Sequence, residues 1–187
     1  MKERNVKLVQ KMTVSALFIA LATVLSEIKI FTLPMGGGIT ALSMLPIMLV
    51  PIMFGAGWGF FSCGTYAAIQ LLFGLDSATA APTAIGVVGS ILFDYLLAYA
   101  ALGIVGFFKN KKTVFVVAGA ALSIIARYVM NIIATCAVWG EWVPAEYGLV
   151  EYEMLYNSYI VIEGAAVCVV IALLLQNKAF RKIASNN

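Results

Sequence analysis

The sequence predicts an all-α membrane protein: a compact bundle of six transmembrane helices with both termini in the cytoplasm. Three observations carry that expectation. Apolar residues make up 63% of the 187-residue chain and charged ones only 11%, with a mean hydropathy of +0.99, which leaves too little polar surface to cover a soluble domain. The apolar residues gather in six long, nearly uncharged runs, and hydrocarbon admits such runs only as helices, because no water is there to satisfy their backbone N–H and C=O groups. Basic and acidic residues are sorted between alternate gaps, which fixes an orientation.

The first span, roughly 10–28, follows Lys2, Arg4, Lys7 and Lys11. It is full length and no convincing small-residue cleavage site follows it, so it reads as a span and not as a signal peptide. Within it, Ala16 and Ala20 bracket Leu17-Phe18-Ile19, a spacing that puts two small residues on one stripe and permits close helix approach. A loop with Pro34, Met35 and Gly36-Gly37-Gly38 comes next, free enough in its backbone to serve as a lid hinge. Spans two (40–54) and three (57–73) are short and meet at the tight turn Gly55-Ala56-Gly57-Trp58-Gly59. A plain outer loop, Gly74 to Thr79, leads to span four (84–107). Lys109, Lys111 and Lys112 separate it from span five (113–138). The longest loop, Trp139 to Asn157, precedes span six (158–177), and Lys178, Arg181 and Lys182 follow.

With six spans, all the basic segments fall on one side, which the positive-inside rule assigns to the cytoplasm of a plasma membrane, and Asp76, Glu141, Glu146, Glu151 and Glu153 fall opposite. The net charge of +3 is thus a topology signal and not a nucleic-acid footprint. No separate soluble domain fits, so residues 1–187 read as one integral membrane domain.

Several classes drop out. The chain has no histidine, which removes the commonest general base and metal ligand. Cys63, Cys136 and Cys168 all lie in spans, without a CxxC pair, and read as small core residues. Neither HExxH nor GxSxG occurs, so no enzyme, metal or cofactor is expected. The lack of GxxxxGK[ST] means that ATP-driven work would need another subunit. No internal repeat suggests the inverted architecture of stand-alone transporters.

Charges inside hydrocarbon mark function, since desolvating them is costly unless they are paired or wet. Asp94, Arg127 and Glu163 qualify. Asp94 has Tyr95 and Tyr99 beside it, and a carboxylate among aromatic rings suits a cationic heteroaromatic ligand. Arg127 and Asn131 share a helical face, with Trp139 two turns further out. Two other readings stand: a structural ion pair of Arg127 with Asp94 or Glu163, or a proton relay through all three. The outer cluster from Trp139 through Tyr152 to Tyr156-Asn157-Ser158-Tyr159 supplies polar and aromatic groups that a membrane span does not need, and so points to a pocket at one membrane face.

The run Asp94-Tyr95-Leu96-Leu97-Ala98-Tyr99-Ala100-Ala101-Leu102-Gly103, with Arg127-Tyr128, Trp139-Gly140 and Tyr156-Asn157-Ser158-Tyr159, resembles the thiamine-specific substrate-binding (S) components of energy-coupling-factor (ECF) vitamin transporters. Leu33-Pro34-Met35-Gly36-Gly37-Gly38-Ile39-Thr40 and Met44-Leu45-Pro46 are similar to that family's first loop and second helix, so the likeness covers nearly the whole chain. It implies a six-helix capture subunit that binds its vitamin in an outward-facing pocket and docks on a transmembrane coupling subunit driven by two ATPases. It implies ligand contacts at Asp94, Tyr95, Trp139, Tyr152 and Asn157, and docking through Ala16 and Ala20. The chain departs from some members, which have Glu in place of Asp94, His in place of Asn131 and a Trp in the glycine-rich first loop.

Overall fold

The computed structural model describes residues 2–32, 38–140 and 143–186. Pro34, Met35, Gly36 and Gly37 of the expected lid therefore lie outside the described residues, as do Glu141 and Trp142.

Helix α1 (Lys2–Glu27) runs into a two-stranded antiparallel ribbon, β1 (Lys29–Thr32) and β2 (Gly38–Thr40), in which Phe31 faces Ile39 and Thr32 faces Gly38. The all-α expectation missed this ribbon. Its strands are short, but Ile30, Phe31, Thr32, Ile39 and Thr40 are β-branched or aromatic residues that favour extended backbone once the helix has ended. Next come α2 (Met44–Phe54) and α3 (Ala56–Phe73), joined at Gly55, whose φ of 88° is a conformation that L side chains rarely adopt. A single-turn helix α4 (Leu75–Thr79) leads to the long segment α5 (Ala84–Phe108), followed by α6 (Thr113–Trp139), the short α7 (Leu149–Tyr156), α8 (Ser158–Gln176) and a terminal α9 (Lys178–Asn186).

Four helical stretches are long and apolar enough to cross a membrane: Asn5–Glu27, Ala84–Phe108, Thr113–Trp139 and Leu149–Gln176. The sequence suggested six. The difference lies in α2 and α3. With 11 residues, α2 is about 16 Å long at ~1.5 Å per residue, roughly half of a hydrocarbon core. It is apolar on every side because it is buried on every side: every residue from Met44 to Phe54 except Leu45 is buried. Helix α3 has 18 residues, but Ser62, Thr65 and Gln70 dilute its apolar character.

The core gathers around α2, where Met44, Ile47 and Met48 meet Tyr66 of α3, Leu102 and Val105 of α5, Ile124 of α6 and Val167 and Ile171 of α8. Helix α1 is peripheral: 11% of its spanning window is buried, against 33% in each of the other three. Polar bonds and small residues fasten it, as expected where lipid removes the hydrophobic drive for helix association. Trp58 Nε1 donates to Ser15 Oγ at 2.8 Å, and Gln70 Nε2 donates to Ser26 Oγ at 2.8 Å and to Tyr66 Oη at 2.7 Å. Ala16 and Ala20 lie on the exposed side of α1 with Leu17 and Leu21.

Glu163, half-way along the Leu149–Gln176 stretch, fastens the base of the ribbon. The Thr40 backbone N–H and hydroxyl donate to its carboxylate at 2.9 and 2.7 Å, and Ser43 Oγ lies 2.7 Å from the Thr40 hydroxyl. A buried carboxylate with such donors is satisfied without a cation. Glu163→Ala should therefore free the ribbon and speed amide hydrogen exchange at residues 38–40 about tenfold or more, given the ~1.5–3 kcal/mol typical of hydrogen bonds to a charged group. Exchange unchanged from the parent would show that something else holds the ribbon.

Candidate substrate-binding site

At the end of the bundle opposite the turn Lys109–Lys112, the outer halves of α5 and α6 and the start of α8 enclose a cavity of about 500 Å³. Both long helices lose α geometry there. Helix α5 passes into π-helical turns over Ile91–Leu97, and α6 does so over Thr135–Trp139. A π turn holds more residues than an α turn, so successive side chains diverge less, and Asp94 and Tyr95 both reach the cavity wall. Thr83 caps the entrance of α5 by accepting from the Gly86 N–H at 3.0 Å. The two helices can approach at this end because Gly89 is small: a Cβ there would sit 2.9 Å from a methyl of Val138.

That approach brings α6 donors to an α5 carboxylate. Asp94 accepts from Ser90 Oγ at 2.9 Å, one turn earlier on its own helix. It also accepts from Trp139 Nε1 at 3.3 Å and Asn131 Nδ2 at 3.4 Å, both from α6. All three donors are neutral, so the carboxylate is oriented while its charge is left uncancelled. Tyr95 is fixed by its hydroxyl, which donates to the Gly74 carbonyl at 3.0 Å.

The Arg127 guanidinium lies over the Tyr99 ring at 4.3 Å from its centroid, and Tyr66 meets Tyr99 edge-to-face with ring centroids 5.2 Å apart. Among the described residues, Arg127 Nε and Asn131 Oδ1 are buried without a hydrogen-bond partner. The hydrogen bonds of Asp94 come from Ser90, Asn131 and Trp139, and those of Glu163 from Thr40 and Ser43. The alternative reading, an ion pair of Arg127 with Asp94 or Glu163, is not seen among the described residues, where Arg127 makes a cation–π contact instead, which needs less exact positioning of two charges in a dry interior.

Of the residues singled out from the sequence, Asp94, Tyr95, Tyr99, Arg127, Asn131, Trp139 and Asn157 all line the cavity. Tyr152 and Glu163 are not part of its wall. Tyr152 instead stacks on Tyr156, with ring centroids 6.0 Å apart and planes 19° apart, and Tyr156 is the ring that lines the cavity. Asn157 is held by Glu153, a fully buried carboxylate on α7 that accepts from its Nδ2 at 3.4 Å.

Tyr156 and Tyr159, from the aromatic cluster that pointed to a pocket, also line it. Sequence reasoning passed over several other lining residues: Ser90 stands four residues before Asp94, the spacing of one helical face. Thr135 likewise follows Asn131 by four. Ser77 and Ala80, contributed from around α4, carry no sequence signal at all.

The arrangement suits a flat ligand carrying positive charge. One oriented carboxylate faces a space walled by four tyrosines and a tryptophan, with amide groups from Asn131 and Asn157 for a polar edge.

Three comparisons bear on this site. The sequence profile of the family described as "Thiamine transporter protein (Thia_YuaJ)" matches residues 12–184. The thiamine transporter ThiT of Bacillus subtilis (strain 168) is 24% identical over 185 residues, covering 91% of this chain and 92% of that protein. The solved structure of ThiT from Listeria monocytogenes superposes with a TM-score of 0.75 at 19% identity, covering 95% of this chain and 98% of the other, and so shares its fold. The match over residues 12–184 means that this chain belongs to the thiamine transporter protein family.

Proposed function

We propose that this chain is the substrate-capture subunit of an ATP-driven ECF importer, binding thiamine or a close cationic relative in the cavity beside Asp94. The observation that carries this reading is the Asp94 carboxylate, oriented by three neutral donors at the wall of a 500 Å³ aromatic cavity in a member of the thiamine transporter family. Thiamine joins a permanently charged thiazolium to a flat pyrimidine. Ion pairing with Asp94 and cation–π contact with the surrounding rings would reinforce one another in a site that excludes water.

In this reading residues 1–187 act as a single unit that crosses the membrane six times, with α2 as a short inner crossing. Both termini are cytoplasmic, and the cavity opens to the exterior. The basic residues at 109–112 and 178–182, placed at the opposite end from the cavity, support that orientation. The chain holds thiamine as a ligand, needs no cofactor of its own, and leaves ATP to two partner ATPases acting through a transmembrane coupling subunit. Ala16 and Ala20, exposed on the least buried helix, are the docking stripe. A relay through Asp94, Arg127 and Glu163 fits the geometry poorly, since Glu163 is committed to Thr40 and Ser43.

Titrating the purified protein with thiamine and following tryptophan fluorescence tests the site. Asp94→Asn should weaken binding by about 2 kcal/mol or more, as expected for removing one partner of a desolvated charge pair. Trp139→Ala should cost about 1–2 kcal/mol through the lost ring. Parent-like affinity in both variants would place the ligand elsewhere, and tighter binding of a neutral or anionic vitamin would replace thiamine as the ligand.

The docking stripe has its own test. Ala16→Leu with Ala20→Leu should leave thiamine affinity within about 0.5 kcal/mol, because the change is remote from the cavity, while uptake in cells that supply the partner subunits collapses. Normal uptake would make the alanines a lipid-facing surface, and uptake by the parent chain in vesicles lacking any partner would overturn the capture-subunit reading.

A further inference from the structure

A second cavity lies at the end of the bundle away from the thiamine-family site, and its chemistry is the reverse. It measures about 210 Å³. Lys109 and Lys111 reach it from the turn between α5 and α6, and Arg181 reaches it from α9. Val116 of α6 and Leu175 of α8 form an apolar floor, and among the described residues no Asp or Glu contributes to the wall.

Two segments distant in sequence, the 109–111 turn and α9, are brought together to make this cluster, so it is more than a run of lysines after a span. Asn177 turns the chain sharply from α8 into α9, its side-chain Oδ1 accepting from the Ala179 and Phe180 N–H groups at 2.9 and 3.3 Å. Ala184 and Phe180 then pack α9 against Val50, Met53 and Phe54 of α2. With that face fixed, Arg181 meets the lysine turn. Asn110 between the two lysines has a φ of 64°, a left-handed conformation that bends the turn tightly.

The electrostatics are unbalanced. Partial burial first, and the neighbouring Lys11 ammonium second, pull the Lys109 ammonium below its ordinary range. Lys11 itself lies 5.7 Å from the centre of the Phe54 ring, against an aromatic face. The cavity also receives Thr113 in the first turn of α6, whose N-terminus has no side-chain cap. The first intrahelical bond there is made by the Phe115 N–H to Lys112 O, so the Thr113 and Val114 N–H groups add to the positive potential.

We propose that the cavity between the Lys109–Lys111 turn and Arg181 binds a phosphate-bearing anion, with the headgroup of an anionic membrane lipid as its favoured source. A phosphate would neutralise the three cations and satisfy the open helix end together. The lipid is favoured because the apolar side chains flanking the turn are exposed: Phe107, Val114 and Phe115 are 65%, 73% and 52% accessible, and offer an acyl chain a surface beside the headgroup. This site is independent of the thiamine reading.

Native mass spectrometry of the detergent-purified chain decides the matter. The parent should retain one molecule of dioleoyl-phosphatidylglycerol and shed dioleoyl-phosphatidylcholine. Lys109→Gln, Lys111→Gln and Arg181→Gln should each weaken retention about fivefold, as expected for one basic residue near an anionic lipid. Inorganic phosphate forms the second arm. If it binds the parent, and loses affinity in the same variants while phosphatidylglycerol is not retained, the anion is free phosphate and the site stands. Equal retention of both lipids without phosphate binding, or parent-like retention in the triple variant, would overturn the proposal. Should the triple variant fail to fold, the exposed-turn variant Lys111→Gln alone decides: a loss of about fivefold supports the site, and no change removes it.

Discussion

Hydrocarbon supplies no hydrogen-bond donors or acceptors, so polar groups inside this bundle have to be met by other parts of the same chain, and the buried atoms left unmet among the described residues, Arg127 Nε and Asn131 Oδ1, belong to residues that line the cavity. That constraint explains where the polar side chains are. They form a few separate knots and not a scatter: Ser26, Tyr66 and Gln70 fasten the peripheral α1 to α3, and Thr40, Ser43 and Glu163 fasten the ribbon to the last long helix. Ser90, Asp94, Asn131 and Trp139 tie α5 to α6. The first two knots are closed and structural. The third opens onto a cavity, and that difference separates a site from a staple. A helix pair could be joined by apolar packing alone; a carboxylate at a cavity wall is what the proposed capture of a cation calls for.

The same knot prepares the site before any ligand arrives. Asp94 is aimed by donors from two helices, Tyr95 is held through its hydroxyl to the end of α3, and Tyr99 is in contact with both Tyr66 and Arg127. Little side-chain freedom in these residues then remains to be lost, and pre-organisation of that kind lowers the cost of binding. The π turns on both helices make this possible. They interrupt two spans where Asp94 and Trp139 must face each other, and their irregular backbone is tolerated because it lines a cavity and not lipid.

Much of this was legible in the sequence, for reasons tied to particular residues. Asp94, Arg127 and Asn131 stood out because polar groups are rare in apolar runs, and the 3.6-residue period put the last two on one face. What could not be read was anything set by register between distant segments. Glu163 carries the same signal as Asp94, a lone carboxylate in a span, yet its partners are Thr40 and Ser43, 123 and 120 positions away. Tyr152 and Tyr156 belong to one aromatic cluster, and only the stacking of their rings decides which one meets the cavity. Helix α2 begins at Met44 and not at residue 40, because residues 38–40 belong to the ribbon, and its all-round apolar pattern fits burial by protein as well as immersion in lipid. The strands Lys29–Thr32 and Gly38–Thr40 were hidden by their brevity.

Burial sets one further division. The cavity draws on α5, α6 and α8, which share the core, whereas α1 contributes nothing to it and leaves most of its surface uncovered. A helix held on one side by Ser15, Ala22 and Ser26 and by the packing of Val14, Phe18 and Ile19 can have its other side changed with little effect on the cavity. For a subunit proposed to capture a vitamin and hand it to a separate motor, this arrangement resolves a conflict. The binding wall has to stay rigid to hold the ligand, and the docking wall has to accept a partner and release it. Placing the two on different helices, joined through polar bonds to α3, lets each meet its own requirement. The rigid core around α2 then serves both, because it fixes the cavity directly and gives α1 a firm surface to lean on.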